Sequence, residues 1–163
     1  MQGSWPRNEL PNLTDFNCDV TSVEARRYNC IAWAAENDRR WWWPDANNIG
    51  YWPDGAPREE TVDAFMRTFS MMGYELCLDS SLQPNLEKIA IYGIANRDGT
   101  TLPTHASRQL SSGLWTSKIG PFEDISHATA DDVNGPVYGK VVCYMCRQRS
   151  IREPEKKPDS QSN

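Results

Sequence analysis

Apolar residues recur at helical spacing in the segment that follows Pro57. The positions are three or four residues apart: Val62, Phe65, Met66, Phe69 and Met72. This spacing predicts an amphipathic helix that opens at Pro57-Arg58-Glu59-Glu60, packs its apolar stripe on the core, and ends near Gly73. We expect the stripe to serve packing and no other role.

A second apolar helix is predicted over Ile31-Ala32-Trp33-Ala34-Ala35, and its start has two interpretations. Thr21-Ser22-Val23-Glu24 matches a capping box, which would start one helix near residue 22 and place Cys30 in its middle. Alternatively, Asn29 is a favoured N-cap residue, and a new helix begins at Cys30. The sequence leaves both interpretations open.

Short apolar runs bounded by turn residues predict strands in the second half of the chain. Lys88–Gly93 is one, and the run from Val137 to Cys146 is another. Thr104–Leu110 and Leu114–Ile119 flank a Ser-Ser-Gly connection that is typical of a β-hairpin. Pairing Leu110 with Leu114 places His105 roughly opposite Ile119, with Ser117 diagonally across from His105 on the same face.

The order of these elements predicts an α+β fold, in which N-terminal helices pack on a small antiparallel sheet. We divide the chain into an irregular N-terminal arm over 1–20, a single domain over 21–146, and a polar, disordered tail over 147–163. Four apolar residues are expected to anchor the arm: Trp5, Leu10, Leu13 and Phe16.

Composition narrows the classes of function. A net charge of -5 with scattered basic residues argues against a nucleic-acid surface. No apolar stretch is long enough to cross a membrane, and the polar start lacks a signal peptide. We therefore expect a cytoplasmic protein, although leaderless secretion leaves the same trace. Composition carries no signal for the oligomeric state.

The five cysteines are odd in number and irregular in spacing, which favours free thiols in a reducing compartment. Cys143 and Cys146 have the spacing of a zinc motif, but both lie in a predicted strand. Residues three apart on a strand point to opposite faces, and no second pair of ligands completes a tetrahedral site. We predict no metal and no cofactor.

Cys30 is the candidate for chemistry, because the start of a helix stabilises a thiolate. His105 is the candidate base, and Ser117 could orient its ring. The aromatic loop over 37–57 contains four tryptophans, which either cover the core or line a cleft beside the thiol. Trp33 and Trp43 are the candidate substrate contacts.

The order of a helix-leading Cys30, a packing helix, a strand, and a strand led by His105 resembles papain-like cysteine hydrolases, especially the compact NlpC-like branch. The resemblance implies a thiol hydrolase or amidase for a peptide or protein substrate, with Cys30 as nucleophile, His105 as base and Ser117 as third residue. Tyr28 or Asn29 would join the Cys30 N–H in binding the oxyanion. Hydrolysis, deamidation and transamidation all fit, as does a toxin or effector role.

The motif Tyr-Asn-Cys-Ile-Ala-Trp-Ala also resembles a small bacterial family of uncharacterised domains. An alternative function uses the same fold without catalysis. In it, the tryptophan-rich loop from Trp41 to Trp52 holds a peptide or a partner protein, with Arg39 and Arg40 beside it.

Overall fold

The fold is dominated by one seven-stranded antiparallel sheet. The computed structural model describes residues 3–150. Its strands are β1 (Cys18–Val20), β2 (Glu75–Cys77), β3 (Leu86–Ala95), β4 (Thr101–Gln109), β5 (Trp115–Lys118), β6 (Asp124–His127) and β7 (Lys140–Gln148). Their spatial order is β1-β6-β5-β4-β3-β7-β2, and every neighbouring pair is antiparallel.

The predicted α+β, papain-like and NlpC-like architecture is therefore wrong. The two α-helices within residues 3–150 are short: α1 spans Cys30–Ala34 and α2 spans Val62–Ser70. The two helices make up a small share of the chain, because the segments before and after each helix are largely irregular. Local apolar patterns revealed the central strands, whereas the sheet also recruits short edge strands that carry almost no pattern of their own.

The second interpretation of α1 is confirmed, since the helix begins at Cys30. The Asn29 side-chain oxygen accepts a hydrogen bond from the Ala32 N–H at 3.2 Å. The capping-box segment forms no helix. Its polar groups bond instead to β6, where the Thr21 N–H donates to the Asp124 carbonyl and the Asp124 N–H donates to Ser22 Oγ.

The apolar stripe of α2 packs as predicted, although the helix begins later than Pro57. Phe65 and Phe69 are fully buried, while Met66 and Met72 pack partly buried against the same core. The Thr61 hydroxyl caps the helix by accepting the Ala64 N–H at 3.1 Å. Arg58 lies outside it, because its guanidinium donates to the carbonyls of Asp45 and Gly50.

Removing this cap gives a testable effect on stability. We expect Thr61→Ala to lower the free energy of unfolding by about 1 kcal/mol, because the Ala64 N–H loses its side-chain acceptor. Thr61→Ser keeps the hydroxyl and is the matched control. Urea denaturation followed by circular dichroism measures both variants, and equal losses in the two would contradict the capping role.

The predicted hairpin and its register are confirmed. Gln109 pairs with Trp115 and Arg108 pairs with Thr116, which continues the predicted pairing of Leu110 with Leu114. The ladder between β4 and β5 contains only these two pairs. β4 and β5 are therefore not paired with each other at His105, which pairs only with Tyr92 of β3, and this is where the site lies.

Two hydrophobic cores lie on opposite faces of the sheet. The first core packs α1 and α2 on residues such as Ile91 and Ala106. The second core contains Tyr92 and Trp115, together with Trp5 and Leu10 of the N-terminal segment. The two faces alternate along each strand, as the two-residue period of a strand requires.

The ends of the chain differ in part from the predicted arm and tail. Trp5 and Leu10 are buried and Leu13 is partly buried, whereas Phe16 is fully exposed and anchors nothing. The segment also contains a 3-10 turn over Arg7–Glu9. Most of the predicted tail, from 151 onward, lies outside the described residues. Among residues 3–150, no helix has the length and apolar character needed to cross a bilayer.

Candidate active site

Cys30 lies at the floor of an open cleft of roughly 300 Å³. The cleft is lined by the start of α1, the aromatic loop, the start of β4 and two turns: Asn29, Cys30, Trp41, Trp43, Thr104, Gly120 and Tyr138. Only 5% of the Cys30 surface is exposed. The thiol is thus reached through this cleft, beneath aromatic walls.

Burial raises the pKa of the Cys30 thiol to about 11, so the resting group is protonated at neutral pH. Backbone groups oppose this effect, since hydrogen bonds from the backbone of Ala106, Ile31 and Cys30 itself favour the thiolate. The charge of Lys118 acts in the same direction. The surroundings would therefore stabilise negative charge that develops on the sulfur once a base removes its proton.

His105 points to the second core, whereas its neighbour Ala106 faces α1. The ring is fully buried and stacks on Tyr138 with centroids 4.0 Å apart, while Tyr92 meets it edge-on at 5.1 Å. Tyr138 also lines the cleft with Cys30. One tyrosine ring thus contacts the imidazole and borders the thiol.

A chain of hydrogen bonds holds the inner side of the His105 ring. Its Nε2 lies 3.1 Å from Ser117 Oγ, and the same Oγ lies 2.8 Å from Nε2 of His127. His127 Nδ1 in turn lies 2.8 Å from the backbone carbonyl of Thr129. His105 and Ser117 lie next to each other, as predicted, and His127 continues the chain of hydrogen bonds.

Donor and acceptor rules fix the protons along this chain. A carbonyl only accepts, so His127 Nδ1 carries the proton that Thr129 receives. Burial lowers the pKa of His127, which keeps the ring neutral and leaves its Nε2 as an acceptor. Ser117 then donates its one proton to His127 and accepts from Nε2–H of His105.

The outer nitrogen of His105 is consequently an unprotonated base. Burial lowers the pKa of His105 well below its usual range, so Nδ1 carries a lone pair. Within the described residues, Nδ1 is buried without a hydrogen-bond partner. No hydrogen bond joins it to Cys30 in residues 3–150, although Cys30 and His105 both neighbour Tyr138. A buried, unpaired acceptor is costly unless the site uses it.

Asn29 lines the cleft, and both its side-chain oxygen and its side-chain nitrogen make hydrogen bonds. Its oxygen accepts from the N–H of Ala32 and of Trp42, and its Nδ2 donates to the Trp42 carbonyl at 2.7 Å. The amide has a second N–H besides the one that Trp42 accepts, and the role of Asn29 at the oxyanion stays a prediction. The backbone groups of Cys30, Ile31 and Ala106 at the sulfur are the available donors.

Tyr28 and Trp33 lie outside the cleft. The buried Tyr28 hydroxyl donates to Asp124, and the Trp33 indole N–H donates to Thr116 Oγ1 at 2.9 Å. Both side chains are hydrogen-bonded to structural partners, and the roles of Tyr28 at the oxyanion and of Trp33 at the substrate stay predictions. Trp43 does line the cleft, and its indole N–H donates to Glu60 at 2.6 Å.

Most of the aromatic loop covers the core, which was one of its two interpretations. Trp42 and Trp52 are buried, whereas Trp41 is 38% exposed and forms a cleft wall with Trp43. His127 is the last residue of β6, and Tyr138 lies in the turn before β7. Neither position has a sequence pattern that marks it as a neighbour of His105.

The cysteine pair of the predicted strand is split between the two faces. Cys143 packs against the first core, while Cys146 lies on the face of its second neighbour Tyr144. No cluster of three or more metal-ligating side chains occurs in residues 3–150.

Fold and site together define a sheet-dominated domain with a buried thiol and a tautomer-fixed histidine beside an aromatic cleft. The chain belongs to the family called Domain of unknown function (DUF7689), whose model matches residues 19–146. No curated protein and no solved structure matches the chain. The activity implied by the resemblance to cysteine hydrolases stays a prediction, as does the resemblance through the Tyr-Asn-Cys motif.

Proposed function

We propose that the protein is a cysteine-dependent acyl-transfer enzyme of the hydrolase or amidase type. The observation that carries this proposal is the buried, unpartnered Nδ1 of His105, held as a lone-pair base by a fixed chain of hydrogen bonds. Most buried polar atoms in proteins are hydrogen-bonded, and this nitrogen is an exception that lies next to a ring of the cleft. In the proposed mechanism, this nitrogen accepts a proton during the reaction.

Cys30 is the nucleophile and His105 is the general base. Nδ1 removes the thiol proton as the sulfur bonds to the carbonyl carbon, and the carbonyl π electrons move to the oxygen. Backbone N–H groups at the start of α1 face the sulfur and suit the resulting oxyanion. The His105 proton then passes to the leaving amine as its bond breaks, and water or another amine releases the acyl group.

The two groups act as a neutral pair and not as a standing ion pair. The raised pKa of Cys30 and the lowered pKa of His105 both disfavour charge in the empty site. Proton transfer is therefore coupled to attack, and the thiol is protected from unspecific oxidation or alkylation until a substrate is bound.

The cleft suits an uncharged segment of a peptide or protein. None of its lining side chains is ionised at neutral pH, since burial raises the pKa of Tyr138 well above its usual range and the Cys30 thiol stays protonated. Trp41 and Trp43 present aromatic faces to the occupant. An apolar side chain or an uncharged amide fits this environment better than a charged one.

Labelling with an activated aryl ester, 4-nitrophenyl acetate, tests the proposal. We expect one acetyl group per protein, located on the peptide that contains Cys30, with release of nitrophenol. Cys30→Ala should lose this label. Cys143→Ala, which removes a partly buried thiol on β7 that does not line the cleft, should keep it.

Acetylation that is absent from Cys30, or that persists equally in Cys30→Ala, would overturn the catalytic proposal. The binding function of the aromatic loop would then be the better account. That function has less structural support, because only Trp41 among the four tryptophans of the loop is exposed by more than a third.

A further inference from the structure

A second pair of cysteines lies at the far edge of the sheet, away from Cys30. Cys77 ends the edge strand β2, and Cys146 lies on β7 beside it. Cys77 pairs with Tyr144 and Glu75 pairs with Cys146, so the two cysteines are diagonal neighbours on one face. Both thiols are free and partly exposed.

The two sulfurs are close enough to influence each other. Burial is the largest cause that raises the pKa of Cys77 to about 11, and the neighbouring Cys146 is the next largest. The Lys88 ammonium opposes this shift. Lys88 is itself almost fully buried and bonds to Asp79, whose backbone carbonyl accepts from the Cys77 thiol at 3.9 Å. A cation thus lies beside the thiol pair.

Small oxidants can reach the Cys77 thiol of this pair. Cys77 lines an open depression of about 440 Å³ together with Leu78, Val142 and Tyr144. The depression lies outside the Cys30 cleft and shares none of its lining residues. Cys143 also borders it, but Cys143 packs on the opposite face of β7 from Cys146.

We propose that Cys77 and Cys146 form a reversible disulfide, which makes this edge of the sheet an oxidation site for hydroperoxides. The Cys77 thiol loses its proton as its sulfur attacks one oxygen of hydrogen peroxide. The O–O bond breaks, Cys77 becomes a sulfenic acid, and the departing hydroxide takes up that proton and leaves as water. The Cys146 thiol then loses its proton as its sulfur attacks the sulfenic sulfur, the S–S bond forms, and the S–O bond breaks as the hydroxyl group takes up the proton and leaves as a second water. Two thiols lose two electrons, which reduce one peroxide.

The fold can accommodate this bond with little movement. A disulfide needs Cα atoms within roughly 4.4–6.8 Å, and diagonal neighbours in a ladder start slightly beyond that range. β2 has only three residues, and Glu75 and Leu76 are exposed, so a small approach of this strand displaces no buried side chain. The cross-link would fasten the edge strand β2 to β7.

Counting thiols in the denatured protein after peroxide treatment tests the proposal. The chain contains five cysteines, and we expect five titratable thiols to fall to three, with a return to five after reduction. Non-reducing digestion and mass spectrometry should show the Cys77 peptide joined to the Cys146 peptide. In Cys143→Ser, four thiols should fall to two, because the reacting pair is intact.

Two results would overturn the proposal. One is a loss of thiols in wild-type protein without the Cys77–Cys146 cross-link, as sulfinic acids or as links between molecules. The other is the same loss in Cys146→Ser and in wild-type protein, with an intramolecular link to another cysteine. Because the readout is a covalent bond in the resting protein, it is independent of any activity of Cys30.

Discussion

Replacing His105 with glutamine should slow acylation of Cys30 by between about 10²-fold and 10⁴-fold. Glutamine fills much of the imidazole volume but offers no lone-pair nitrogen that can accept the thiol proton. The buried Cys30 thiol, with its pKa raised to about 11, would then rarely ionise at neutral pH. The rate is measured from nitrophenol release with 4-nitrophenyl acetate at saturating ester.

His127→Leu is the informative companion to this variant, because it leaves His105 in place. Without His127, Ser117 loses the acceptor that fixes its proton, and Ser117 can donate to Nε2 of His105. The proton of His105 then moves to Nδ1, where it blocks the base. We expect slower acylation, together with ¹⁵N chemical shifts that report this tautomer change in the resting protein.

The two readouts separate the possible explanations. Unchanged His105 shifts with slow acylation in His127→Leu would contradict tautomer control, and unchanged acylation in His105→Gln would contradict the general base. Circular dichroism of each variant checks that the fold is intact.

Acid should destabilise the folded protein, because burial lowers the pKa of both His105 and His127. Below the usual histidine pKa of about 6.5, the unfolded chain binds a proton at each site and the folded chain does not. The contribution of these two histidines to the free energy of unfolding is therefore fully present above that pH and is lost as the pH falls. The slope approaches about 1.4 kcal/mol per pH unit for each histidine.

Urea denaturation between about pH 7 and pH 5 measures this slope through the free energy of unfolding. His127→Gln is the matched control, since its amide oxygen can still accept from Ser117 but does not titrate. In this variant the free energy of unfolding should change less steeply with pH, and the difference should be at most the contribution of one histidine. A slope equal to that of the wild type would show that His127 titrates normally in the folded state.

The hairpin was predictable because its turn and its pattern agree. Gly113 in a Ser-Ser-Gly connection fixed the loop length, and the loop length fixed the register. Through that register the sequence correctly placed His105 near Ser117. The residue type of Asn29 indicated a helix start at Cys30 as one of two interpretations, and the structure selects it.

The sheet as a whole was not predictable from local pattern. β1 and β2 have three residues each, and their strand conformation depends on pairing with β6 and β7. Such edge strands gain their backbone partners only after the central sheet exists. The capping-box sequence at Thr21 failed for the same reason, since its polar groups found partners on β6.

Only the part of the site that lies on the hairpin was predictable, for a related reason. Residues on one hairpin are close in sequence, whereas His127 reaches Ser117 from the next strand and Tyr138 arrives from a later turn. Their positions depend on how the sheet continues past the hairpin. Their residue types alone, a histidine and a tyrosine, are compatible with many surroundings.

The side chain of Asn29 joins two parts of the protein that are thirteen residues apart. It caps the helix that carries the thiol, and it bonds to both backbone polar groups of Trp42, between the two tryptophans of the cleft wall. A ligand that pushes the wall outward must therefore also pull on the first turn of α1. If the proposed mechanism holds, the shape of the occupant would therefore influence the orientation of the sulfur.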